Sequence, residues 1–178
     1  MKMALQRFSN TDSTKLLVNA IGFQCCWAAC VIGGNLWAIA IVPLFFMWHW
    51  LQLKSNEIML IAAFTLLGAL NDSLLLNLGL LSFPEHSSAL IPVWLILLWS
   101  AFAATLLHSM TWLMRKPVLA ILLGAVGGPW SYYAGSLLNS LSLSYPVLII
   151  IALVWATLLG TVSLIIGKHF QQNKNEVS

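Results

Sequence analysis

Asp72 stands near the middle of an apolar run over residues 58–81, where a carboxylate is chemically conspicuous. Insertion scales charge roughly 2.5–3.5 kcal/mol for an ionised Asp at a bilayer centre, so it needs a partner, a proton or a wet cavity. Asn71 lies beside it, and Tyr132 and Tyr133 offer phenolic hydroxyls elsewhere in the chain. A second polar set consists of Gln24, His49 and His108, again inside apolar runs. Such groups suit proton exchange or acid/base work if they converge. The simpler reading of His49 and His108 is hydrogen bonding between helices.

These residues must be positioned by membrane helices. The chain is 60% hydrophobic and only 7% charged, with a mean hydropathy of +0.90. Soluble domains carry roughly 25% charged residues, so this chain has too few to clothe a water-facing surface. The expected fold is all-α, a polytopic bundle of six transmembrane helices. Its 178 residues divide into a tail over 1–15, a membrane domain over 16–167 and a second tail over 168–178. The predicted spans are 16–34, 36–53, 57–81, 89–114, 117–139 and 145–166, and loop signals such as the Pro-containing segment 82–88 separate them. Ala28, Ala29 and Cys30 resemble the end of a lipoprotein cleavage box, but Trp27 stands where an aliphatic residue belongs, so the segment is read as the first helix.

Loop charges test this partition independently of hydropathy. Lys2, Arg7, Lys15, Lys54, Arg115, Lys116, Lys168 and Lys174 all fall on one side, which is the full complement of eight basic residues. The opposite loops, 33–35, 82–88 and 140–144, have none. The positive-inside rule then makes the basic side and both termini cytoplasmic. This topology accounts for the net charge of +3 without an acidic partner, and nothing points to nucleic acid. The expected partner is the lipid bilayer, with a homo-oligomer or a membrane-protein partner as the protein association such a chain would make.

Helical spacing orients the polar residues. Thr65, Gly68, Ala69, Asp72, Leu76 and Gly79 share one face, a seam of small residues that keeps the acid off lipid. Gly124 and Gly128 form a G-x-x-x-G pair, and Gly127, Gly128 and Pro129 predict a helix break, since proline removes a backbone donor. At about 1.5 Å per residue, Asp72, Tyr132 and Tyr133 lie about 22–23 Å from the cytoplasmic ends of their helices, whereas Gln24, His49 and His108 lie within about 12 Å. Two polar layers result. Asp72 and His108 are mismatched in depth by about 13 Å, which disfavours their joint use in catalysis.

Neither a cofactor nor a metal site is expected. Cys25, Cys26 and Cys30 lie within one helix, and the Cys26/Cys30 pair has no clustered His or acid beside it. No phosphate-binding loop, zinc-protease motif or serine-nucleophile motif occurs.

The helix from Asn19 to Gln24, the Asn71-Asp72-Ser73 triplet, the run TLLHSMTWL over 105–113 and Gly127-Gly128-Pro129 together resemble small proteobacterial inner-membrane proteins grouped as a domain of unknown function. The resemblance spans 16–166. It implies a multi-pass location in the bacterial inner membrane and a link to lipid or fatty-acid metabolism, with no activity to carry over. The expected function is a small transporter or permease-like protein using Asp72, the alternative a noncatalytic membrane subunit or scaffold. A lipid-directed enzyme using Asp72, His108 and the tyrosines ranks behind both.

Overall fold

The computed structural model describes residues 13–54, 56–84 and 86–175, with side chains described to Gly167. The basic tail bearing Lys2 and Arg7 lies outside the described residues, as do the side chains of Lys168 and Lys174. The all-α expectation holds in the main. In chain order the elements are α1 (Ser13–Trp50), α2 (Glu57–Asn77), β1 (Leu81–Ser82), α3 (Val93–Ala103), α4 (Thr111–Met114), α5 (Pro117–Leu137), β2 (Ser142–Leu143) and α6 (Val147–Asn175).

Among the described residues, four helical stretches are long and apolar enough to cross a membrane: α1, α2, α5 and Val147–Gly167 of α6. Six were expected, and the difference has two sources. The first is α1, 38 residues long and reversed at Gly34, whose φ of 59° and ψ of −148° are not helical. An unbroken helix would hold Gly22 and Phe45 about 34 Å apart. A Cβ on Gly22 would instead lie 2.8 Å from the Phe45 ring, so limbs 13–33 and 35–50 run antiparallel against each other. The second source is the predicted span 89–114. Pro92 precedes α3, and the helix ends at Ala103.

Residues 104–110 form successive tight turns, with bonds such as Thr105 N to Phe102 O at 2.9 Å and His108 N to Thr105 O at 3.0 Å. The Thr105 hydroxyl donates to Phe102 O at 2.6 Å, a local side-chain bond that competes with the helical ladder. Fully buried Asn19 compensates from α1. Its amide donates to Ala104 O at 3.3 Å and its carbonyl accepts from Ser109 N at 3.3 Å and Ser109 Oγ at 2.7 Å. Exchanging Asn19 for leucine strands these groups, and unmade buried hydrogen bonds cost about 1–3 kcal/mol. The expected outcome is a lower thermal midpoint in detergent, with faster hydrogen exchange confined to 104–110.

Three connections gather at one end of the bundle. Leu81 pairs with Leu143 and Ser82 with Ser142 in a short antiparallel ladder. Ser140 Oγ donates to Val31 O beside the Gly34 reversal, and Trp94 N donates to Asn35 Oδ1 at 2.9 Å. Ser73 and Asn77 of α2 hold the long loop as well: Ser73 Oγ accepts from Ile91 N at 3.1 Å, and Asn77 donates to Ala89 O at 2.7 Å. At the other end Lys54 Nζ donates to Leu107 O.

The predicted break at Gly127, Gly128 and Pro129 is not seen, since α5 runs as one helix through all three. The small-residue stripe serves close packing instead. A Cβ on Gly124 would sit 2.7 Å from the Trp155 carbonyl oxygen, and one on Gly128 would sit 2.3 Å from the Trp155 ring, so α5 and α6 meet almost backbone to backbone. Large side chains on the outside are themselves apolar, among them Ile32, Leu36, Met47, Leu66, Val126 and Leu153. An outer surface of this kind matches hydrocarbon rather than water.

Candidate functional site

Asp72 points into the bundle and is fully buried. Its Oδ2 accepts from Trp99 Nε1 at 2.7 Å and from the Tyr132 hydroxyl at 2.5 Å, and its Oδ1 accepts from Asn71 Nδ2 at 3.0 Å. Helices α2, α3 and α5 therefore converge on one carboxyl group. The approach depends on Gly68, one turn before Asp72: a Cβ there would lie 2.2 Å from the Trp99 ring. Behind Trp99, the Trp155 indole stacks at 4.7 Å with 19° between the planes, and Phe64 and Phe102 complete an aromatic wall. Dense packing of this kind fixes the two donors on Oδ2.

Of the outer polar layer, Asp72, Asn71 and Tyr132 are brought together. Tyr133 is not with them; it packs against Trp130 at 6.0 Å. Trp99 was missed by sequence reasoning. Its position 27 residues after Asp72 carries no periodic signal, and a tryptophan in an apolar helix reads as packing.

The inner layer also divides. His49 and His108 converge, their ring centroids 4.7 Å apart, whereas Gln24 is exposed on the other limb of α1. The residue joining the two histidines is Glu57, which sequence reasoning passed over as the start of a helix. Its Oε1 lies 3.1 Å from His49 Nε2 and 3.0 Å from His108 Nε2. Glu57 and Asp72 are fifteen positions apart on α2, about 22 Å, so the two layers are separate centres and the Asp72–His108 pairing that catalysis would need is absent.

A cavity of about 450 Å³ adjoins the Asp72 cluster. Trp99, Tyr132 and Trp155 form its inner wall, Phe23, Trp27 and Leu98 its flanks, and the exposed Trp112, Leu123 and Trp130 stand at its rim. Trp27 Nε1 donates to Ser131 Oγ at 3.0 Å across it, and Gln24 adds an amide to the lining. The volume lies in the range of sites for small organic ligands. Chemically the space offers an aromatic slot with a few hydrogen-bonding groups and direct access from the lipid-facing surface.

A family model described as a protein of unknown function (DUF2878) matches residues 16–161, nearly the span over which the sequence resemblance was drawn. No curated protein and no solved structure matches the chain.

Proposed function

Since the chain belongs to the DUF2878 family, whose own function is not established, we propose its role from the site: a small permease-like membrane protein that takes an amphiphile with an apolar tail into the cavity beside Asp72. It sits in the bacterial inner membrane with six crossings and both termini in the cytoplasm. Supporting that topology, the limbs of α1 double back at Gly34, and the connections 78–92 and 138–146 share an end with that reversal. The described basic residues Lys15, Lys54, Arg115 and Lys116 all belong to the segments at the other end.

The observation that carries the ligand reading is the cavity itself. An aromatic slot whose rim is exposed among apolar side chains is entered from lipid, so its occupant is drawn from the bilayer. A polar head would meet Gln24, Ser131 and the Trp27 indole, and the tail would lie along Trp99 and Trp155.

Titration of the protein in nanodiscs with a fluorescent polyene fatty acid tests this, with the saturable part of the energy transfer from the chain's nine tryptophans as the readout of entry. Saturable binding near one equivalent per chain is expected. Replacing the lining residue Ala134 with tryptophan should weaken it at least tenfold by filling the slot. Non-saturable partitioning that is identical in both proteins defeats the proposal.

The scaffold reading has its own support in the closed coordination of Asp72, which has three donors and no exposed atom surface. Asp72→Asn separates the two. An amide oxygen still accepts from Trp99 and Tyr132, and the Asn71 amide turns over to accept from the new NH2. A scaffold keeps its assembly with this change, whereas a permease that moves a proton on the acid loses transport.

A further inference from the structure

We propose that Glu57, His49 and His108 form a binding site for a divalent transition-metal cation, with zinc the ion that their donor atoms fit best. The three residues come from three separate pieces of the chain: the last turn of α1, the first residue of α2 and the tight turns over 104–110. Relative exposures are 0% for Glu57, 1% for His49 and 7% for His108. One donor atom from each lies within 4.8 Å of the other two. A tetrahedral zinc ion with bonds of about 2.1 Å sets its ligands about 3.4 Å apart. The 3.0 and 3.1 Å separations around Glu57 Oε1 come within a few tenths of an ångström of that spacing, so side-chain adjustment alone admits an ion.

Hydrogen bonding leaves this cluster incomplete. His108 Nε2 meets Glu57 Oε2 in good geometry at 3.0 Å, and Lys54 N donates to the same oxygen at 2.9 Å. Glu57 Oε1 and both nitrogens of His49 have no hydrogen-bond partner, although all three atoms are buried. His49 Nε2 approaches Oε1 closely in a direction that makes no hydrogen bond. Buried polar atoms are nearly always satisfied, and a cation bound between Glu57 Oε1 and His49 Nε2 satisfies those two together. The His49 ring is also held in place, stacked on Phe45 at 5.8 Å and edge-on to Phe46 at 6.1 Å. The nearby Lys54 ammonium is engaged on the Leu107 carbonyl.

Two imidazoles and one carboxylate are borderline donors that select zinc-like ions over calcium or magnesium. A three-residue set leaves a fourth position for water. The ion would pin the broken span, through His108, to the connection between α1 and α2. None of the three ligands lines the cavity, and Glu57 lies about 22 Å from Asp72 along α2.

The test uses the full chain in detergent, stripped of metal and titrated with Zn²⁺ or Co²⁺. Binding of one equivalent, a rise in thermal midpoint with Zn²⁺ but not Ca²⁺, and cobalt bands characteristic of nitrogen and oxygen donors are expected. His49→Gln and His108→Gln should each weaken binding at least tenfold. Measurements on the wild-type protein suffice by themselves to overturn the assignment. Absence of saturable binding does so, as does thiolate-to-cobalt charge-transfer absorption, which would place the ion on Cys25, Cys26 or Cys30. Retention of stoichiometric binding by the doubly substituted His49→Gln/His108→Gln protein does so too.

Discussion

Asp72→Leu is expected to lower the unfolding free energy by about 2–4 kcal/mol, measured by denaturant titration in bicelles. The leucine removes the acceptor shared by the Trp99 indole and the Tyr132 hydroxyl, both of which lie in the packed interior. An orphaned buried donor costs about 1–3 kcal/mol in general, and hydrogen bonds between membrane helices sit lower, near 0.6–1.7 kcal/mol. Relief of the cost of inserting a carboxylate does not offset this, because the unfolded state in the membrane already bears that cost. Tyr132→Phe removes one donor and leaves Oδ2 bound to Trp99, so about 1 kcal/mol is expected there. A leucine variant that unfolds with the wild-type midpoint would show that the three-helix junction contributes nothing.

Gly124→Leu should be the most disruptive change on α5, while Gly127→Ala, three residues later on the same helix, should be harmless. At position 124 the added Cβ meets the Trp155 carbonyl oxygen at 2.7 Å and the Ala156 nitrogen at 3.2 Å, both backbone atoms with no rotamer to escape into. Overpacking costs typically 1–3 kcal/mol even where side chains can yield, and here whole helices must separate. Loss of at least about 3 kcal/mol is expected, with α6 released from α5 and limited proteolysis between them. At position 127 nothing lies within 4 Å of an added Cβ, and alanine favours helix by up to about 1 kcal/mol over glycine. The thermal midpoint should stay level or rise. Equal destabilisation by both changes would refute the backbone-to-backbone seam.

The level shared by Asp72 and Tyr132 was legible because helical rise is a constant, so counting from the loops placed both at one depth. The seam around Gly68 was legible for a similar reason, since spacing decides which small residues share a face. Trp99 was not, because an indole used as a donor looks in sequence like one used for packing. Glu57 escaped notice because an acid in the first turn of a helix is ordinarily accounted for by the helix dipole. Only folding reveals that the two histidines come from elsewhere to enclose it.

Helix interruptions were misplaced in both directions. Gly127, Gly128 and Pro129 carry the strongest breaking signals, yet α5 persists through them, held along Gly124 and Gly128 by Trp155. The span over 89–114 lacks an internal glycine or proline between Trp94 and Arg115, yet it leaves helical geometry at 104–110. What releases it is Asn19, some 85 residues earlier, which supplies the hydrogen bonds that a helix would otherwise provide for itself. Local sequence cannot report a partner so distant.

The reversal at Gly34 leaves no slack between its limbs, and this makes the angular phase of the second limb a strict function of chain length. One residue inserted after Gly34 advances every following position on that limb by about 100°. Phe45 would rotate off Gly22, and His49 would swing from the interior toward acyl chains. Connecting segments usually absorb insertions freely, but this one behaves like a gear tooth. A single added alanine there should disengage the first hairpin from the rest of the bundle without altering a single side chain that the bundle contains.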